Sequence, residues 1–115
     1  STMLLGVDKL PSTFDVTPPP HRGVGRGSVT LNCTYEISSL VTEYLFWYIQ
    51  YPNESPKYLL RRSRYGDENA PGYKERFDAS LNRTAKTVPL TVQNVQLSDS
   101  AVYYCALSIW LGDRI

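Results

Sequence analysis

Short alternating stretches, the lack of any sustained helical period, and two cysteines set far apart predict an all-β domain, a sandwich of two antiparallel sheets. Val29, Leu31 and Cys33 alternate with Ser28, Thr30, Asn32 and Thr34, as a strand does when one face lies on a core. Leu45 to Gln50 is dense in aromatic and aliphatic residues, and Pro52-Asn53-Glu54-Ser55-Pro56 stops it with a turn. Lys57 to Arg62 predicts another strand, and Phe77, Ala79 and Leu81 mark one more. Val88, Leu90 and Val92 alternate with Pro89, Thr91 and Gln93, where the proline points to an exposed or edge position. Ala101 to Leu107 is the last clear strand.

The opening stretch stands apart from this pattern. Ser1 to Thr13 carries a short apolar patch (Met3, Leu4, Leu5, Val7) without a basic start, and it is too short for a secretory signal. Residues 1–13 are therefore expected to be a flexible arm or leader remnant, with the domain proper over residues 14–115. Pro18-Pro19-Pro20 and Gly23-Val24-Gly25-Arg26-Gly27 exclude helix and suggest an edge strand with a turn. The glycine-rich run has neither the Lys-Ser/Thr nor the following helix that a phosphate-binding loop needs.

The chain has 115 residues. A domain of that size buries roughly two-thirds of its unfolded surface, enough for one core. Apolar residues make up 42% and charged residues 20%, which excludes disorder, and a net charge of +1 argues against a nucleic-acid partner. No apolar run approaches the roughly 20 residues of a membrane helix, so contact with a membrane is expected only through segments outside this chain. Zinc sites need about four clustered ligands, redox pairs read C-x-x-C, and neither pattern is present; no metal or cofactor is expected. Cys33 and Cys105 are then either two free buried thiols or a disulfide closing a long loop. Such a loop closure stabilises by about 4 kcal/mol in the chain-entropy model and requires an oxidising compartment. Catalysis is not expected. The single histidine, His21, lies beside the proline run, and Asp67 and Glu68 are adjacent, solvated loop carboxylates. Asn32-Cys33-Thr34, Asn53-Glu54-Ser55 and Asn82-Arg83-Thr84 are glycan acceptor triplets, the second weakened by Pro56.

Cys33, then Trp47, then Asp99-Ser100-Ala101-Val102-Tyr103-Tyr104-Cys105 resemble the signature of immunoglobulin variable domains. The resemblance implies a Cys33–Cys105 disulfide between the sheets with the Trp47 indole packed on it. It also implies that the Tyr103 hydroxyl ties a loop corner to the last strand, and that Arg76 and Asp99 are the paired charges closing the bottom of the sandwich. Leu45-Phe46-Trp47-Tyr48-Ile49-Gln50-Tyr51-Pro52, Lys57-Tyr58-Leu59-Leu60 and Ser98 through Leu107 look most like a T-cell receptor alpha or delta variable domain. The similarity covers Ser28 to Leu107.

If Trp47 points inward so does Ile49, while Tyr48 and Gln50 point out; likewise Tyr103 and Cys105 point in and Tyr104 out. Outward aromatics suggest a covered face. By resemblance that face pairs with a second, beta- or gamma-like variable domain through Tyr48, Gln50, Pro56, Tyr58 and Tyr104, with Gln50 meeting a counterpart glutamine. The resemblance also places recognition in end loops: Ile37 to Tyr44, Arg62 to Asp67, and Ser108 to Arg114, with a side loop near Leu81 to Lys86. Tyr44, Arg62, Tyr65, Ser108, Trp110 and Arg114 are the candidate contacts for a protein or peptide–MHC-type ligand. The family's last strand normally opens Phe-Gly-x-Gly. Trp110-Leu111-Gly112-Asp113 departs from it, so that strand is expected to be missing or abnormal, with one strand edge left bare. The expected function is an antigen-receptor variable domain. The alternative is an innate or adhesion-type receptor domain acting unpaired or as a homodimer, and either belongs on the outer cell surface.

Overall fold

The computed structural model describes residues 4–14, 27–37 and 42–110, with side chains over 27–37 and 42–109. The strands among them are β1 (Leu4–Phe14), β2 (Val29–Leu31), β3 (Thr42–Gln50), β4 (Lys57–Ser63), β5 (Gly66–Asn69), β6 (Phe77–Ala79), β7 (Leu90–Val92) and β8 (Ala101–Trp110). A 3-10 turn, Leu97–Asp99, leads into β8. One sheet has the order β1-β8-β3-β4-β5 and the other β2-β7-β6, all neighbours antiparallel. The two-sheet, all-β expectation holds.

β3 shows why this sequence makes a sandwich. Glu43, Leu45, Trp47 and Ile49 are buried while Tyr44, Phe46, Tyr48 and Gln50 are only half covered, a strict period of two. The inward row meets Val88, Leu90 and Val92 from the second sheet in one apolar cluster. Cys33, just past β2, is disulfide-bonded to Cys105 of β8 across a separation of 72 residues, joining the sheets. Trp47 lies in register opposite Cys105, is fully buried, and donates from Nε1 to the carbonyl of Val88 at 3.0 Å. The indole thus fills space beside the disulfide while its one polar atom is satisfied across the core.

The foot of the sandwich is closed by polar contacts. Arg76 donates from both terminal nitrogens to the two Asp99 oxygens at 2.9 Å each, and reaches the carbonyls of Gln93 and Asn94. Asp99 Oδ2 also accepts the Gln96 N–H at 2.8 Å. Burial would raise the Asp99 carboxyl, but the hydrogen bonds from Arg76 and Gln96 outweigh it and hold the carboxyl below its ordinary value. The Tyr103 hydroxyl donates to the Asp99 carbonyl at 2.6 Å, tying the corner to β8.

The β3–β4 turn is built as its residues demand. Pro52 occupies the second position, Asn53 takes φ 62°, and the Glu54 N–H closes on the Tyr51 carbonyl at 3.1 Å. The left-handed position suits asparagine, which tolerates that region better than most residues.

Two features differ from the sequence expectation. The outer edge of β8 is not bare, because β1 runs antiparallel along it from Leu4 opposite Trp110 to Phe14 opposite Ala101. Most of the stretch expected as an arm is thus strand. The pairing satisfies backbone groups that β8 would otherwise present unpaired, and Pro11 fits because β1 is itself an edge strand. β8 also extends three residues beyond Leu107, to Trp110.

Candidate partner face and ligand-binding end

The outer side of the five-stranded sheet gathers aromatic residues from two strands. On β3 the half-buried Phe46 and Tyr48 follow from the alternation around Trp47. Tyr58 of β4 stands opposite Tyr48. The three rings form a triangle: Phe46 to Tyr48 6.3 Å, Phe46 to Tyr58 6.4 Å, and Tyr48 to Tyr58 6.3 Å between centroids. The Tyr58 hydroxyl donates to Glu68 Oε1 at 2.6 Å, and burial, then that hydrogen bond, push it up to about 12.

Tyr104 extends the face onto β8, in register with Tyr48. Its hydroxyl donates to Gln50 Oε1 at 2.8 Å, while Gln50 Nε2 donates to the Glu54 carbonyl at 2.9 Å. A primary amide has two donor hydrogens and two acceptor lone pairs. Each end of Gln50 therefore keeps one position for a further bond. Pro56 is exposed beside this corner. Of the residues expected on the partner face, Tyr48, Gln50, Tyr58 and Tyr104 fall on one surface. Phe46 was missed, although the same period of two that turns Tyr48 outward turns it outward too. Arg61 was missed as well; it lies in register between Phe46 and Glu68.

At the opposite end the expected loop residues scatter. Tyr65 sits at the tip of the β4–β5 hairpin, 66% exposed, with the Arg64 guanidinium 5.3 Å from its ring centre. Tyr44 is half-buried in β3, and Ser108 is buried within β8 rather than in a loop. The Trp110 backbone ends β8, and Arg114 lies outside the described residues.

Arg62 is corrected outright. It is 3% exposed, and Nε donates to the Ala79 carbonyl at 2.8 Å. One terminal nitrogen donates to the Arg61 and Glu68 carbonyls, the other to Asn69 Oδ1 and Asp78 Oδ1 at 2.9 Å each. A guanidinium so engaged staples the β4–β5 hairpin to β6 and has nothing left for a ligand. Leu60 explains the placement: Arg62 follows two positions on and shares its inward side.

A second buried charge supports the loop end. Glu43, almost fully enclosed, accepts from the Tyr35 hydroxyl at 2.9 Å and from Arg83 Nε at 3.4 Å. Burial first, then the Glu43 hydrogen bond, drives the Tyr35 hydroxyl above its ordinary value. The trio links the segment after Cys33, β3 and the Leu81-to-Lys86 side loop. Asn32, Asn53 and Asn82 are all exposed, and Asn82 Oδ1 accepts the Ala85 N–H at 2.9 Å.

Two antiparallel sheets, a disulfide between them, a tryptophan packed beside it and a tyrosine tied to its corner define an immunoglobulin variable-type domain. Residues 16–113 match the family model for the immunoglobulin V-set domain, and the chain belongs to that family of binding domains, which are not enzymes. Human T cell receptor alpha variable 18 is 45% identical over 82 residues, 71% of this chain and 68% of that protein. The mouse T-cell receptor alpha chain V region CTL-F3 is 44% identical over 80 residues, 70% of this chain and 57% of that one. Human T cell receptor alpha variable 29/delta variable 5 is 40% identical over 90 residues, 77% of this chain and 71% of its own length. The chain is thus similar to T-cell receptor alpha and delta variable domains, and spans part of the length of each.

Proposed function

We propose that this chain is the variable domain of an antigen-receptor chain of alpha or delta type, on the outer cell surface. It pairs with a beta- or gamma-like variable domain and reads a presented ligand, such as a peptide on an MHC-type molecule, through its end loops. The observation that carries the reading is Gln50. Its amide is held by Tyr104 and Glu54, yet has capacity for one more donor and one more acceptor bond, and the residue is only half-buried. A glutamine in the same setting on a second domain returns two hydrogen bonds, and the Phe46–Tyr48–Tyr58 rings alongside supply the apolar area that such an interface buries. The exposed Tyr65, and candidate contacts Tyr44, Trp110 and Arg114, belong to the ligand end in this reading; Tyr and Trp serve that purpose well because they bring large area at low entropic cost.

The test is association in sedimentation with recombinant beta- and gamma-chain variable domains. The double substitution Gln50→Arg, Tyr104→Glu should leave the fold intact, read by circular dichroism, while abolishing the heterodimer. Unchanged association removes this face from the reading. Self-association alone, with none of the partners bound, replaces it with an unrearranged receptor acting as a homodimer.

A further inference from the structure

By register, the outer face of the five-stranded sheet does not stop at Tyr104. Residues directly opposite one another in an antiparallel pair share a face. Pro11 of β1 stands opposite Tyr104, Tyr104 opposite Tyr48, and Tyr48 opposite Tyr58, so one row crosses β1, β8, β3 and β4. Two positions along, Thr13 stands opposite Val102 and Val102 opposite Gln50. The β1–β8 register is unbroken from Val7 to Phe14, its shift falling between Leu4 and Val7. Tyr48, Gln50, Tyr58, Val102 and Tyr104 are all only half-buried. A depression of about 350 Å³ opens at the end of the second row, with Gln50, Pro52, Asn53 and Val102 in its lining.

We propose that β1 completes the partner face, with Pro11 and Thr13 lying against the second variable domain. The proposal rests on the pairing reading above and adds a strand to it. Neighbouring strands lie roughly 4.8 Å apart, so Pro11 stands one strand from Tyr104 and about 10 Å from Tyr48. A surface that covers both tyrosines reaches it. A stable interface takes roughly 20–30 residues from each side, far more than the aromatic triangle, Gln50, Pro56 and Tyr104 supply. The sheet offers two directions in which to extend. Toward β5 the surface reads Gly66-Asp67-Glu68-Asn69, with both carboxylates exposed, and charged residues are depleted at interface centres. Toward β1 the two rows end on a proline and a threonine, neither of them charged. The partner surface that fits is therefore uncharged and apolar opposite the Pro11–Tyr104 row, continuous with the one that covers the rings.

The experiment uses the whole chain and a panel of recombinant beta- and gamma-chain variable domains. Leu10, Pro11, Ser12 and Thr13 are replaced by cysteine one at a time, and maleimide labelling is followed by mass with and without the tightest-binding panel member. Bound partner should slow labelling at positions 11 and 13 and leave positions 10 and 12 unchanged, the period of two that the register requires. Pro11→Asp sets a charge in the row and should weaken Kd, read by surface plasmon resonance, by about tenfold or more. Hydrogen exchange of the β8 amides at the wild-type rate shows that β1 is still paired in that variant; where it is not, the cysteine series decides. Partner-independent labelling at positions 11 and 13, or wild-type Kd in Pro11→Asp with β1 still paired, overturns the proposal and leaves pairing through β3, β4 and β8 standing. Protection that follows the chain's own concentration instead of added partner assigns the row to a second copy and overturns it too. Failure of the wild-type chain to bind any panel member overturns both the proposal and the pairing reading.

Discussion

The Tyr104 hydroxyl on β8 donates to the Gln50 side-chain oxygen on β3 at 2.8 Å, so the strand carrying the second disulfide cysteine sets the orientation of an amide on its neighbour. Tyr104→Phe removes that bond alone. One partly buried hydrogen bond contributes about 0.5–1.5 kcal/mol, so the melting temperature should fall by only a few degrees, roughly 2–8 °C. Partner association should weaken further than this loss implies, because the amide is then free to rotate away from a facing glutamine. Association equal to wild type, with the small melting shift present, would show that the amide's orientation plays no part in pairing.

Arg62 gives a sharper contrast between two roles. A ligand contact on a loop can be truncated with little effect on folding, whereas a staple between a hairpin and the opposite sheet cannot. Arg62→Ala strands the Ala79 and Glu68 carbonyls and Asn69 Oδ1, costing about 2–4 kcal/mol. Asp78 and Asp67 add little to that figure, since both carboxylates are largely exposed. Urea unfolding reads the loss directly, and a midpoint within error of wild type would return Arg62 to the surface role expected of it.

The same residue shows where sequence reasoning reached and where it stopped. The alternation around Trp47 and the spacing of Cys33 and Cys105 carry strong period-two and pairing signals, and the sandwich, its disulfide and the outward Tyr48 and Gln50 follow from them. Arg62 obeys the same alternation from Leu60, yet arginine is almost never fully buried, and its acceptors come from three separate segments that only the fold brings together. Opposite Trp47 and Tyr48 of β3 the register also slips by one residue of β4, leaving Leu59 and Leu60 both buried. No residue type announces such a slip. β1 was illegible for another reason: its attachment depends on the backbone edge of β8, and Leu4–Phe14 has no clean alternation to mark it.

Glu43 makes a third test. Its carboxylate lies in the inward row of β3 with Tyr35 and Arg83 as described partners. Tyr35→Phe withdraws the shorter bond from a buried charge and should destabilise by about 1–3 kcal/mol. Arg83→Ala removes a longer contact from a side chain 44% exposed, and should cost no more than about 1 kcal/mol. Denaturant melts of both variants decide the order, and a reversed ranking would move the main support of Glu43 from the hydroxyl to the guanidinium.

The three acceptor triplets differ in what a glycan would meet. Thr34 and Asn82 both bridge to Thr87, so glycans on Asn32 and Asn82 sit on the side of the second sheet and leave the aromatic face clear. Asn53 lies in the β3–β4 turn, next to the Glu54 carbonyl that fixes Gln50, and Pro56 stiffens its triplet. Expression in mammalian cells should give enzymatically removable glycans at Asn32 and Asn82 and none at Asn53, read by intact mass on Asn→Gln variants. A glycan found on Asn53 would crowd the pairing corner and count against pairing there.

The Arg76–Asp99 pair predicts how stability follows pH. Hydrogen bonds from Arg76 and the Gln96 N–H, outweighing burial, hold the folded carboxyl below its unfolded value, so the unfolded chain binds the proton more readily. The contribution is therefore whole above the unfolded value, about 3.9, and is lost as pH falls from there through the folded value. Asp99→Asn removes this dependence. It should destabilise at neutral pH by about 2–3 kcal/mol, a figure kept below that for a fully buried pair because Arg76 is partly exposed. Below pH ~4 the wild-type melting temperature should drop toward that of Asp99→Asn, the two curves converging as the carboxyl protonates. Parallel curves through that range would mean that the foot of the sandwich does not depend on this charge.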